Sequence, residues 1–150
     1  MRRVYIFLTV PLGLAMMSAT AHAQSWSNKQ GILPASVDAF YKDGPTEITV
    51  SADPTTPNSG RALISFTEWG DTLSCQYGDN AALISDKGES APLENMGCAP
   101  EGPKGATFMS QLSNKNVQVF KGASRLSVRQ GGRSIDISTK GLNSALQSMK

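Results

Sequence analysis

The sequence predicts a single α+β domain rich in antiparallel β-strands, with six to eight short strands, one internal helix and one C-terminal helix. Segments in which apolar and polar residues alternate recur along the chain, and clusters of Gly, Pro, Asn and Asp separate them. The length of 150 residues suffices for one hydrophobic core. With 39% hydrophobic and 17% charged residues, the composition excludes a coiled coil, a disordered chain and a polytopic membrane protein.

Residues 1–23 are predicted to be a secretory signal peptide. Arg2 and Arg3 form a positive start, an apolar run follows over residues 4–17, and Ala21-His22-Ala23 has the pattern of a cleavage site. The apolar run is shorter than the roughly 18 to 20 residues that span a bilayer, although a retained anchor is the alternative. We therefore expect a periplasmic protein, cleaved near Ala23 and without a transmembrane anchor in its mature form; secretion is a further possibility.

Residues 24–46 are interpreted as an N-terminal arm and a first element. Residues 24–31 are polar apart from Trp26, which is typical of a loose arm. Residues 33–41 fit two periods, because some apolar residues have helical spacing and others alternate as in a strand that enters the turn at residues 43–45. The sequence leaves the choice between helix and strand open.

The middle of the chain has the alternation of consecutive short strands. A turn-rich loop at residues 53–60 and turns at 69–71 and 86–88 separate these segments. The predicted strands are residues 47–51, 61–67, 72–77 and 82–85, with a weak partner at 90–93.

The last third of the mature chain contains both predicted helices. Residues 99–105 have the composition of a loop, and Phe108 and Leu112, four residues apart, favour a helix of about two turns. A strand follows at Val117 and Val119, and residues 126–130 pair with 134–138 through Gly131-Gly132. The C-terminal helix has one apolar stripe, expected to pack on its own sheet or in a lipid or protein groove: Leu142, Ala145, Leu146 and Met149.

Cys75 and Cys98 are the only cysteines, and both lie in the mature chain. Because export leads to an oxidising compartment, we expect a structural disulfide between them. Closing a loop of this length stabilises a fold by about 3 kcal/mol in the chain-entropy model. Two buried free thiols or a redox pair are the alternatives.

Catalytic and metal sites are not expected. The only histidine, His22, lies in the leader, so the mature chain lacks the base of a Ser-His-Asp or Cys-His mechanism. Glu68 and Asp71 are the candidate pair for a two-carboxylate site; the alternative is that they are solvated turn formers, as acids in turns usually are. Scattered acids and the absence of a Gly-rich phosphate loop predict no metal and no cofactor.

Charge is segregated along the mature chain. Residues 24–103 hold four basic and eleven acidic residues, whereas residues 104–150 hold eight basic residues and one acidic residue. The basic half predicts either a solvated strand face or a patch for anions, such as a phosphorylated glycolipid, peptidoglycan or an acidic protein. Nucleic acid is not expected as a partner. The candidate binding residues are Lys121, Arg125, Arg129, Arg133 and Lys140.

The middle and end of the chain resemble META domains, the HslJ-like family of envelope proteins. The matching segments are residues 63–66, 73–78 and 93–99 and those that follow up to residue 137. The resemblance depends on a strand, a turn and a cysteine-bearing strand, followed by Met96-Gly97-Cys98, a helix, a strand and a closing hairpin. It implies that residues 47–150 form a META-like α+β domain in the cell envelope. It implies no enzymatic activity, because the family has none that is agreed; its members are linked to stress and antibiotic tolerance and resemble secretion-pilot proteins in shape.

These observations predict a non-catalytic binding protein that acts in envelope stress tolerance or as an accessory to secretion or virulence machinery. An envelope protein or an anionic glycolipid is the expected partner. The alternative is a proteinaceous inhibitor of a hydrolase such as lysozyme, in which a rigid loop, for example residues 53–60, blocks a cleft.

Overall fold

A computed structural model describes residues 24–53, 61–117 and 120–150. The predicted signal peptide, residues 54–60 of the predicted loop and Val119 lie outside the described residues. The strands in chain order are β1 (Ser27–Gln30), β2 (Val37–Asp43), β3 (Thr46–Ala52), β4 (Ala62–Glu68), β5 (Ala81–Ser85), β6 (Ser90–Pro92), β7 (Gly97–Glu101), β8 (Gly105–Leu112), β9 (Leu126–Gln130) and β10 (Arg133–Ile137). The helices are α1 (Asn114–Val117) and α2 (Leu142–Gln147).

These strands form two antiparallel sheets, one with the order β1-β2-β3-β4-β8-β7 and one with the order β10-β9-β5-β6. The β-rich, antiparallel character that the sequence predicts is confirmed. The described residues form ten strands rather than six to eight. Buried side chains from both sheets belong to one hydrophobic core, so neither sheet has a core of its own.

The N-terminal segment is part of the larger sheet and not the loose arm that its polarity suggests. β1 pairs with β2 along its whole length. Trp26, just before β1, is buried, and its indole N–H donates to the Ser138 carbonyl at 2.8 Å. In the segment with two competing periods, residues 37–41 belong to β2, since Ala39 and Tyr41 face the core at strand spacing, and residues 33–36 precede the strand.

The internal helix predicted around Phe108 and Leu112 is wrong, because this segment is β8. β8 lies between β4 and β7 and is paired with both. Its inward residues have a period of two, but two of them are the small residues Ala106 and Ser110. Because these two residues are small, the large apolar residues Phe108 and Leu112 stand four apart, which is a helical spacing.

Three further expectations are corrected. Residues 72–77 form turns and bends instead of a strand. In the segment expected to be a loop, residues 99–101 belong to β7, and a turn at residues 102–104 connects β7 to β8. Val117 ends the short helix α1 and does not begin a strand.

The closing hairpin and the C-terminal helix are confirmed. β9 and β10 pair from Leu126↔Ile137 to Gln130↔Arg133 around Gly131-Gly132. The stripe on α2 is buried at Leu142, Ala145 and Leu146, and Met149 packs against the core just after the helix. α2 contacts β1 and β2, so it covers the inward side of the larger sheet at that edge.

Within the described residues, neither helix has the length and hydropathy that crossing a membrane requires. Both are short, with four residues in α1 and six in α2.

Candidate functional site

A loop of residues 69–80 connects β4 to β5 and contains one of the two cysteines; it is called the disulfide loop below. Cys75 in this loop is bonded to Cys98 in β7, with a Cα–Cα distance of 5.6 Å. The predicted disulfide is therefore confirmed. It joins the loop to the edge strand of the larger sheet.

A buried carboxylate holds the first half of the disulfide loop. Glu68, only 2% exposed at the end of β4, accepts the backbone N–H of Leu73 at 2.9 Å and that of Thr72 at 3.4 Å. Asp71 is exposed and lies 4.0 Å from the Lys104 ammonium. The two carboxylates of the candidate catalytic pair thus have different surroundings: one fixes the backbone and the other forms a surface ion pair.

A buried amide holds the second half of the loop. Gln130, the last residue of β9, is 1% exposed. Its side-chain oxygen accepts the N–H of Ser74 at 3.0 Å, and its side-chain nitrogen donates to the carbonyls of Ser74 at 2.8 Å and Asp79 at 3.0 Å. Gly131, the next residue, has a φ of 59°, a left-handed conformation that favours glycine, and its Cα lies beside the Asp79 carboxylate.

The outward side of the disulfide loop displays aromatic and cationic groups. Trp69 is 46% exposed, and the Lys42 ammonium lies 5.6 Å from the centre of its ring. The Tyr77 hydroxyl donates to the Asp71 carbonyl, and the Arg133 guanidinium carbon lies 3.7 Å from the centre of the Tyr77 ring. Trp, Tyr and Arg are the residue types that dominate the binding energy of protein interfaces.

The structure does not bring the five basic residues of the predicted binding patch together on one face. Arg129 and Arg133 lie in β9 and β10, and the other three lie outside the strands of the second sheet. All five are exposed: Lys121, Arg125, Arg129, Arg133 and Lys140. Arg133 lies opposite Gln130 and contacts the disulfide loop, whereas Arg129 lies opposite Ser134. Neighbouring positions in a strand face opposite sides, so these two guanidinium groups point away from one another. Lys121, Arg125 and Lys140 flank the other end of the hairpin, roughly 13 Å away at about 3.3 Å per residue.

Arg125 has a structural neighbour in the turn after β5. The Asp86 carboxylate accepts the backbone N–H groups of Arg125 at 3.3 Å and Ser124 at 3.0 Å. The hydrogen bond from Arg125 is the main reason that the pKa of Asp86 lies below its ordinary value of 3.8. This contact fixes the start of β9.

A groove of about 530 Å³ crosses the outward face of the larger sheet. The core-facing residues alternate with those that line the groove, so the groove is on the side opposite the hydrophobic core. Three of its apolar side chains are exposed: Ile32 fully, Met96 by 58% and Met109 by 39%. We call this surface the outer-face groove; its lining includes Lys29, Ile32, Asp38, Leu63, Met96 and Met109.

Asp38 is the polar group that distinguishes this groove. It is 5% exposed, and its carboxyl group has no hydrogen bond or ion pair with any residue that the structure describes. Its neighbour across the ladder, Lys29, instead places its ammonium 3.1 Å from the Thr49 hydroxyl and 4.2 Å from the centre of the Phe40 ring.

Sequence reasoning did not single out Gln130 or Asp38. Gln130 was visible only as the polar end of a hairpin strand. Asp38 had a stronger signal, since it is a lone acid between Val37 and Ala39 in a segment that fits a buried strand.

Among residues 24–53, 61–117 and 120–150, no cluster of three or more His, Cys, Asp or Glu side chains is arranged to hold a metal ion. Comparisons with protein-family models, with curated proteins and with solved structures find no match to this chain. Function is therefore inferred from the chemistry of the two surfaces described above.

Proposed function

We infer that this chain is an exported, non-catalytic binding domain of the cell envelope, and that the disulfide loop is its recognition surface. The observation that carries this inference is the way in which the loop is held. A disulfide, a buried carboxylate and a buried amide fix its backbone from three different strands, while Trp69 and Tyr77 remain at its surface.

Fixing a loop before binding reduces the conformational entropy that is lost on association. The groups that hold the disulfide loop, the Glu68 carboxylate and the Gln130 amide, are buried and bonded to the loop backbone. The Tyr77 hydroxyl bonds within the loop, to the Asp71 carbonyl, whereas the Trp69 ring and the Arg133 guanidinium make none of these anchoring bonds. Both are exposed, so they are available to contact a partner. Because aromatic and guanidinium groups are typical of interface centres, we propose a protein partner.

The biological setting that we propose follows from the sequence. The predicted leader and the disulfide are compatible with export. The resemblance to META domains supports a role in envelope stress tolerance or as an accessory to secretion or virulence machinery. The element order departs from that resemblance at Cys75, which lies in a loop, and at residues 108–112, which lie in β8.

A proteinaceous inhibitor of a hydrolase such as lysozyme is the second candidate. The anchored conformation of the disulfide loop favours it, since an inhibitor needs a rigid segment that enters a cleft. This loop replaces residues 53–60 as the proposed blocking segment, because residues 54–60 lie outside the described part of the chain. A muramidase assay with micromolar protein tests this candidate: inhibition that Trp69→Ala removes supports it, and no inhibition contradicts it.

The binding proposal is tested by crosslinking and affinity purification of the mature, oxidised protein from envelope extracts, with matched variants. Trp69→Ala is compared with Leu33→Ala, since Leu33 is similarly exposed at 49% and lies outside the loop. Arg133→Glu is compared with Arg129→Glu, which reverses a charge on the opposite face of the same hairpin.

We expect Trp69→Ala and Arg133→Glu to lose a specific protein partner while both control variants keep it. Loss with Arg129→Glu and Arg125→Glu instead would identify the basic end of the hairpin as the binding surface and contradict the loop. Recovery of anionic glycolipid without protein would replace the proposed partner class.

A further inference from the structure

The outer-face groove contains an acid, Asp38, that is 5% exposed and whose carboxyl group makes no hydrogen bond or ion pair among the described residues. A buried polar side chain normally has a hydrogen-bond partner, and an unpaired one requires a specific reason. The carboxyl group of Asp38 meets no donor among the described residues. The other two deeply buried acids among the described residues both accept hydrogen bonds: Glu68 from two backbone N–H groups and Asp53 from the Gln111 side-chain amide at 2.6 Å.

Asp38 faces the groove because of strand alternation. Ala39 and Tyr41 point into the core, so Asp38 points to the outward face, where it lines the groove. The segment between β1 and β2 covers it from one side. The Asp38 Oδ1 atom lies close to the Cα of Gly31, because a Cβ built there would be 2.8 Å from it.

The nearest candidate cation of the protein is engaged elsewhere. Lys29 lies directly opposite Asp38 in the ladder, but its ammonium contacts the Thr49 hydroxyl and the Phe40 ring. No ion pair between Lys29 and Asp38 is present within 4.0 Å in the part of the chain that the structure describes. The acid therefore remains free to pair with a ligand.

The rest of the groove is suited to an apolar body. Leu63, Met96 and Met109 line it, and methionine side chains adapt their shape to different ligands. Its volume of about 530 Å³ falls within the range of about 300 to 1,000 Å³ that small-molecule sites occupy. A mostly apolar site with one well-placed polar group fixes the orientation of a ligand through that group.

We propose that the outer-face groove binds a small organic cation, an alkylammonium group with an apolar chain, with the ammonium on Asp38 and the chain between Leu63, Met96 and Met109. A cation is the group that pairs most strongly with a carboxylate, through charge-assisted hydrogen bonds. This site is separate from the disulfide loop, and its occupation does not depend on the proposed function of that loop.

The test uses three probes of equal chain length with the full mature protein: n-octylammonium, n-octanol and octanoate. Binding is measured by titration calorimetry, and the site is located by amide shifts of isotope-labelled protein. We expect n-octylammonium to bind at least about tenfold more tightly than n-octanol, and octanoate to bind most weakly. The amide shifts should centre on Asp38, Leu63 and Met109.

Two variants and one control assign the effect to the groove. Asp38→Asn should reduce octylammonium affinity at least about tenfold and leave octanol affinity unchanged. Ser65→Phe, which places a ring in the groove without changing charge, should weaken all three probes. Asp43→Asn removes an acid from the same strand, outside the groove, and should change nothing.

Equal affinity of the wild-type protein for octylammonium and octanol would overturn the proposal without reference to any variant. Preferred binding of octanoate would also overturn it, because Lys29 would then recognise the ligand. The absence of binding of all three probes at millimolar concentrations would overturn it as well. Trp69→Ala should leave octylammonium binding intact; its loss would show that the two surfaces are not separate and would overturn the assignment to the groove.

Discussion

The disulfide loop and the outer-face groove use their buried polar groups in opposite ways. In the loop, Glu68 and Gln130 are both satisfied by backbone groups, so their role is to hold the chain in place. In the groove, Asp38 is nearly as buried and has no partner among the described residues. The comparison separates polar groups that determine conformation from one that is available to a ligand.

The largest expected effect is that of removing the disulfide. Cys75→Ser with Cys98→Ser should lower the free energy of unfolding by about 3 kcal/mol, because the unfolded chain regains the freedom of the closed loop. Urea denaturation of the oxidised wild-type protein and the variant measures this difference. A change below about 0.5 kcal/mol would mean that the bond does not constrain the fold.

Replacing the buried amide should have the next largest effect. Gln130→Leu keeps the approximate volume but removes three hydrogen bonds to the loop, and we expect a loss of about 2 kcal/mol. Gln76→Leu, at an exposed position of the same loop, is the control and should lie within about 0.5 kcal/mol of the wild-type protein. Equal effects of the two substitutions in urea denaturation would contradict the anchoring role of Gln130.

Trp69→Ala should change stability by about 1 kcal/mol or less, because nearly half of the side chain is already exposed. The same substitution should abolish partner binding if the loop is the recognition surface. Thermal or urea unfolding and the binding assay are therefore measured on the same sample. A large loss of stability would reassign Trp69 to the group of residues that hold the loop.

The smallest expected effect involves Asp86 and appears on acidification. Its pKa is below 3.8 in the folded state, chiefly because of the hydrogen bond from Arg125. The carboxylate therefore contributes stability above the unfolded pKa, and this contribution is lost as the pH falls through the lower folded value. Asp86→Asn should lack this part of the acid dependence, which urea midpoints measured between pH 6 and about pH 2 would detect.

Much of the fold could be predicted from local patterns. β3, β4, β5 and the closing hairpin have clear alternation or a Gly-Gly turn, and α2 has a continuous apolar stripe. β8 was mistaken for a helix because Ala106 and Ser110 occupy inward positions, so its strand period is apparent only once pairing with β4 is known. β1 is polar throughout and depends on pairing with β2.

The loop and the groove could be predicted only in part. The disulfide could be predicted because the chain has only two cysteines and the predicted leader directs it to an oxidising compartment. Residues 72–77 alternate like a strand, but the N–H groups of Thr72, Leu73 and Ser74 are taken by the side chains of Glu68 and Gln130. Such side-chain competition with a sheet ladder depends on residues up to 56 positions apart and leaves no local pattern.

Hydrogen exchange of the Leu73 and Ser74 amides tests most directly whether the disulfide loop is a preorganised surface. Both amides lie in a loop, yet both are bonded to buried side chains. We expect both to exchange slowly in the oxidised wild-type protein, and Gln130→Leu to accelerate Ser74 while Leu73 stays protected by Glu68. Exchange of both amides at the rate of the exposed Gly78 in the wild-type protein would contradict a preorganised loop.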